Sequence, residues 1–224
     1  MAKTAFDTDA LITQFETATA AGSAKLRQAV GDATLQALQG RELSLKNIRA
    51  VLGSVTQAAN TGLAKNMKPA VDVDSLLDQV VAGMDDALLK AVDANRAALE
   101  QLAAQGADMR EKHLKKALAD LEKFEDTMIA TIQKSAGGAG DQMAAAWGTV
   151  LDKLNAGGTM SGAKASSTVE QFAQQVQTAM RDSRAASLRA ATALAESYTA
   201  MVSGVLIGMS DAMRQAAPAK KAKK

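Results

Sequence analysis

The chain has 224 residues, room for one large domain or two small ones, and its 47% hydrophobic content is that of an ordinary globular protein. Its apolar residues are mostly small: 49 alanines stand against four Phe, one Tyr and one Trp, which predicts an all-α fold with a thin core and excludes a β-rich one. The absence of cysteine excludes a disulfide framework and thiolate chemistry and fits a reducing, cytoplasmic setting, while the formal charge of +2 becomes −2 once Lys220, Lys221, Lys223 and Lys224 are set aside.

Met1 to Ala10 carries Lys3, Asp7 and Asp9 with no apolar run, so no secretory signal is expected there. The first helix is predicted over 8–39, where Leu11, Phe15, Thr19, Gly22, Leu26, Val30, Ala33 and Ala37 step by threes and fours. A kink is expected near Gly22, with Ser23 able to restart the helix as a cap, and Gly40 ends it. A second helix follows over 44–66, capped by Ser44, with Leu45, Ile48, Leu52, Val55, Ala59 and Leu63, and Met67 just beyond it, on one face. Pro69 closes that segment, because the residue before a proline is pushed away from helical dihedrals.

The third segment, 74–134, is the longest. Val73, Leu77, Val80, Met84, Leu88, Val92, Asn95, Leu99, Leu102, Gly106, Met109, His113, Ala117, Leu121, Phe124, Met128 and Ile132 keep one phase with a mean step of about 3.7 residues, close to the period of a straight helix. Asp72, Asp74 and Asp78 supply negative charge where the helix dipole favours it. The segment is either one continuous helix or two, broken at Gly106, with Asp108 and Glu111 positioned to cap the restart. An unbroken helix would be about 90 Å long at 1.5 Å per residue. A compact chain of this size is only about 45 Å across. The seam is therefore expected either to turn at Gly106 or to be buried against another chain or surface.

Gly137, Gly138 and Gly140 form a flexible joint, with Asp141 placed to cap a short helix over 141–154 that bears Met143, Trp147, Val150, Leu151 and Leu154. Residues 155–166, containing Gly157, Gly158 and Gly162, read as a second joint and the least ordered internal stretch. Ser167 and Glu170 have the spacing of a capping box and open a last helix over 168–215, ended by Pro218. The expected organisation is a helical region 1–136, a glycine-jointed segment 137–167, a long C-terminal helix 168–217 and a lysine-rich tail 218–224. No stretch reaches the ~20 apolar residues a transmembrane helix needs. The greasiest, 200–209, is interrupted by Ser203, Gly204 and Gly208.

Catalytic, cofactor and metal sites are not expected. His113 is the sole histidine, and metal binding needs several ligands at set spacing. The pairs Asp85 with Asp86 and Glu125 with Asp126 read as solvated helix faces. The glycine runs lack the lysine and the Ser or Thr of a phosphate loop. The tail lysines could touch phosphates of nucleic acid weakly, bind anionic lipid, or serve solubility alone, and no aromatic residue is interleaved with them to stack on bases.

Long alanine-rich helices, glycine joints and an end reading Ala216-Ala217-Pro218-Ala219-Lys220-Lys221-Ala222-Lys223-Lys224 together resemble the phasins, which coat bacterial polyester storage granules. The likeness lies in the general character of residues 7–215 and the style of the tail, so no functional residue is carried over by position. It implies a cytoplasmic, helical, often oligomeric protein that adsorbs to a hydrophobic polymer. The residues expected to meet a granule, a lipid surface or a protein partner are Leu77, Met84, Leu88, Val92, Leu99, Leu102, Met109, Leu121, Met128 and Ile132 on the first seam. On the second they are Phe172, Val176, Met180, Leu194, Tyr198, Met201, Val205 and Met209. The alternatives are an oligomeric scaffold using the same seams and a nucleoid-associated protein using the tail.

Overall fold

The computed structural model describes residues 8–39, 44–66, 72–105, 112–138, 140–182, 197–198 and 200–209, and of residues 66, 113, 141, 142 and 176–182 the backbone alone. Among the described residues the fold is all-α: α1 (Thr8–Ala20), α2 (Ser23–Leu38), α3 (Leu45–Asn66), α4 (Val73–Ala104), α5 (Lys112–Glu122), α6 (Phe124–Ala136), α7 (Asp141–Gly157) and α8 (Met160–Asp182). A further helical stretch covers 200–209. Pro69, Met109, Leu194 and the four tail lysines lie outside the described residues.

The helix ends follow from local chemistry, and several differ from the sequence reading. The expected kink at Gly22 is a full break, because this glycine adopts φ 109°, a backbone conformation costly for any residue with a Cβ. It separates α1, which packs on α3, from α2, which packs on α4. Ser44 caps α3 as expected, its Oγ accepting from Asn47 N at 3.4 Å, and Asp72 caps α4 by accepting from Ser75 N at 3.2 Å. The cap of α7 is Gly140 rather than Asp141. The supposed joint at 155–166 is instead the end of α7 and the first turns of α8, so the last long helix begins at Met160 and not at 168. Ser167 sits inside that helix, where its Oγ donates to Lys164 O.

The central element is α4. Helix α2 runs antiparallel to it, with Arg27 beside Asp86 and Gly31 beside Gly83. At this crossing a Cβ on Gly83 would run into the carbonyl oxygen of Arg27, so only glycine lets the backbones approach this closely. Gly62 plays the same part between α3 and α1, where a Cβ would sit 3.1 Å from Ile12 O. Helix α3 continues onto α6, and α7 bridges α4 and α6. The only tryptophan of the chain, Trp147 on α7, is 1% exposed and donates from Nε1 to Asn60 Oδ1 on α3 at 2.7 Å.

The seam does not continue as one straight helix. Asp85 on α4 and Met128 on α6 stand on either side of Gly106 at nearly equal distance along the chain, and both meet Ser161 on α8. The chain therefore folds back between α4 and α5, which overturns the continuous 74–134 helix. With its length halved, the seam fits inside the bundle. Leu77, Met84, Leu88, Val92, Leu99 and Leu102 are fully buried, and Leu121, Met128 and Ile132 are at most 3% exposed. The expectation that this seam is too long for the chain to hide is corrected for these residues. Phe172 and Tyr198 of the second seam are likewise buried, while Met201, Val205 and Met209 are half-buried.

Candidate functional site

The arms created by the fold-back, α4 on one side and α5 with α6 on the other, make little direct contact among the described residues, and α8 packs against all three. The site is this trough and its cover. Where the cover is attached, the chemistry is polar. Gly158 closes α7 with φ 68°, donating its N–H to Leu154 O at 2.8 Å, and the chain turns directly into α8.

The first four N–H groups of a helix have no partner within it. In α8 they are satisfied from three directions. Thr159 caps its own helix, its Oγ1 accepting from Gly162 N at 2.9 Å. Met160 N and Ser161 N each donate at 3.0 Å to the two carboxylate oxygens of Asp85, which reaches across from α4. Thr159 donates from N at 2.6 Å and from Oγ1 at 2.9 Å to Glu125 Oε1, which reaches across from α6. The positive end of the α8 dipole thus faces two carboxylates, one from each arm of the trough. A Cβ on Gly162 would collide with the Glu125 carboxylate, so this position also has to be glycine for the contact to form.

Further along, α8 is held by exposed or half-exposed polar pairs: Lys164 Nζ to Asp93 at 3.1 Å and Gln171 Nε2 to Glu100 at 3.2 Å. Arg96 lies among the same acids, with Nη1 3.2 Å from Glu100. Among the described side chains of α8, Ala165 and Phe172 are buried hydrophobics, Val169 is partly buried, and Ser161 and Thr168 are buried polar groups. Beyond α8, the hydroxyl of Tyr198 donates to Asn95 Oδ1 on α4, and both residues are buried. Val202 and Leu206 follow it into the core, whereas Ile207 is 45% exposed.

These contacts revise the sequence reading of the carboxylates. Asp85 is 7% exposed and Glu125 half-buried, so neither belongs to a solvated face, while Asp86 pairs with Arg27 at 2.7 Å and Asp126 is exposed. Asp85 carried a readable signal: with Val81, Leu88 and Val92 it lies on an apolar face, where an acid needs a partner. Asp85 and Glu125 thus serve as acceptors for the backbone amides that open α8. The Asp86 hydrogen bond holds the Arg27 guanidinium above its usual range, and the Asp78 hydrogen bond does the same for Lys153. No group of three or more metal-binding side chains occurs among the described residues. No helix among them is long and apolar enough to cross a membrane. A shallow groove of about 1070 Å³ between α1 and α2 and a polar cavity of about 480 Å³ beside Asn60 and Ser135 bring no catalytic grouping together.

The predicted seam residues whose side chains are described are therefore buried or half-buried within the bundle. Val176 and Met180 lie on α8, but their side chains are among those left aside. Residues 1–215 match the family described as a family of unknown function, DUF6781, and the chain belongs to it. No curated protein and no solved structure matches the chain.

Proposed function

We propose that this DUF6781 protein acts without catalysis, keeping its apolar seams folded inside a helical bundle and laying them on a hydrophobic surface, a polyester granule or a lipid particle, when the bundle opens. The observation that carries this reading is a mismatch between lining and cover. Leu88, Val92, Leu99, Leu102, Leu121 and Met128 are buried in the α4 to α6 region, and over residues 160–175, where the side chains of α8 are described, Phe172 is the one large apolar side chain that α8 buries. Full burial of each Leu, Met or Val contributes roughly 1.5–3 kcal/mol, so a continuous apolar surface competes well with so polar a cover. The likeness to phasins in composition and tail supports the same reading, and with it a cytoplasmic, oligomeric protein.

A second reading rests on α8 itself. It is a helix seated in a groove, the arrangement by which an amphipathic helix of another protein would bind once α8 is displaced. Flotation separates the two. The purified chain is expected to rise with polyester particles or neutral phosphatidylcholine vesicles, insensitive to salt and to removal of residues 218–224. Protein that stays behind at every particle concentration overturns surface coating and leaves the scaffold. Binding abolished by salt or by loss of the tail would assign the role to the lysines instead.

A further inference from the structure

We infer that α8 is a releasable strap: it opens as a unit about the Gly157–Gly158 corner, and Asp85 with Glu125 is the latch that holds it shut over the trough. The opening itself stands on geometry alone. Its use in exposing the seam to a surface rests on the reading above.

Three features separate α8 from the helices beneath it. Its N-terminal turn is fixed by acceptors on two other helices, so removing two side chains deprives it of four hydrogen bonds at once. Behind that turn stand two glycines, one at φ 68°, so the backbone at the corner has conformations open to it that a residue with a Cβ would lack. Ahead of it two further cross-links, Lys164 to Asp93 and Gln171 to Glu100, are half-buried polar contacts that water can reach and replace. By contrast α2 and α3 cross their partners through glycines at backbone distance. Local opening follows such differences in contact type, and a helix whose first turn hangs on acceptors from two other helices opens before helices locked at backbone distance.

With α8 lifted, α4 and the α5–α6 arm lose their shared partner. Met128, which lies under Ser161 at 4.0 Å between sulfur and hydroxyl, is then uncovered. The released strap would carry Phe172 with it, so both sides of the opened trough present apolar groups.

The test uses amide hydrogen exchange on the full chain. In Asp85→Ala/Glu125→Ala, α8 amides are expected to exchange at least about tenfold faster, since one charge-assisted hydrogen bond is worth that factor. The α2 and α3 amides and the helical circular dichroism should hold, and an apolar dye should bind more strongly. Equal acceleration of α2 and α8, or none in α8, overturns the strap. The second arm needs no destabilised protein. Because the chain has no cysteine, Asp93→Cys/Lys164→Cys can be joined specifically by a short bismaleimide, with each thiol capped singly as control. Joining is expected to slow α8 exchange and to cut particle flotation at least about tenfold. Joined protein that floats like its control overturns the strap while leaving surface coating intact. If neither form floats but the latch variant still exchanges selectively at α8, the strap stands and surface coating fails.

Discussion

Two interfaces on α4 are built on opposite principles. At one, α2 crosses at Gly31 and Gly83, close enough that backbone meets backbone, and Val30, Val80, Met84 and Ala87 around the crossing are buried. At the other, α8 is attached through Asp85, Asp93 and Glu100, acids that reach out to amides and cations. One helix thus carries a permanent joint and a reversible one. Apolar close packing loses its value with small displacements, whereas half-buried polar contacts such as those at Asp93 and Glu100 can be exchanged for water. The difference places the stable part of the molecule on the α1–α3 side and the part able to move on the α8 side.

The comparison breaks first at Gly83. Gly83→Leu forces α2 away from α4 against a backbone carbonyl that cannot rotate aside, and a loss of about 5 kcal/mol is expected, read as collapse of the denaturant midpoint. A milder but still large effect belongs to Phe172→Ala, about 3–4 kcal/mol for a fully buried ring, with exchange accelerated in α8 well before α2. Uniform acceleration across the chain would erase the distinction between the two sides. Asp85→Ala, at about 2 kcal/mol, should leave Trp147 fluorescence native while loosening α8, because Trp147 reports the α7 contact with α3.

The smallest effect is electrostatic and sharpens the α7 boundary. Lys153 is raised by its hydrogen bond to Asp78, so it binds its proton more tightly folded than unfolded. Its contribution is fully present below the ordinary lysine range and is lost as pH climbs through the raised value. Thermal unfolding should fall slightly more over that alkaline interval in the native chain than in Lys153→Met. Equal slopes would remove this pair from the account.

Much of the fold was legible in the sequence because apolar side chains had to recur at helical spacing. The faces of α3 and α4, the cap at Ser44 and the acidic start at Asp72 follow from that rule. The reversal between α4 and α5 was one of two readings that the apolar pattern could not separate, for a physical reason: α4 and α6 contribute to one core, so their apolar phase reads as unbroken whether the chain runs on or turns back. Gly83 drew no reading from the sequence, since its role shows only when Arg27 is brought beside it from 56 residues away. Thr159, the true cap of α8, was concealed in a run of glycines, while Ser167 and Glu170 imitated a capping box by spacing alone. The Leu99→Glu and Leu102→Glu changes that exposed seams would have invited now mean placing unpaired charge in the interior, and report folding, not adsorption.

Hydrogen exchange of the unmodified chain bound to polyester particles, compared with the free chain, tests the central claim most directly. The account predicts that α8 loses protection on binding, α4 to α6 become shielded by the particle, and α1 to α3 remain as they were. Protection of α8 that is unchanged or strengthened on the particle would contradict it.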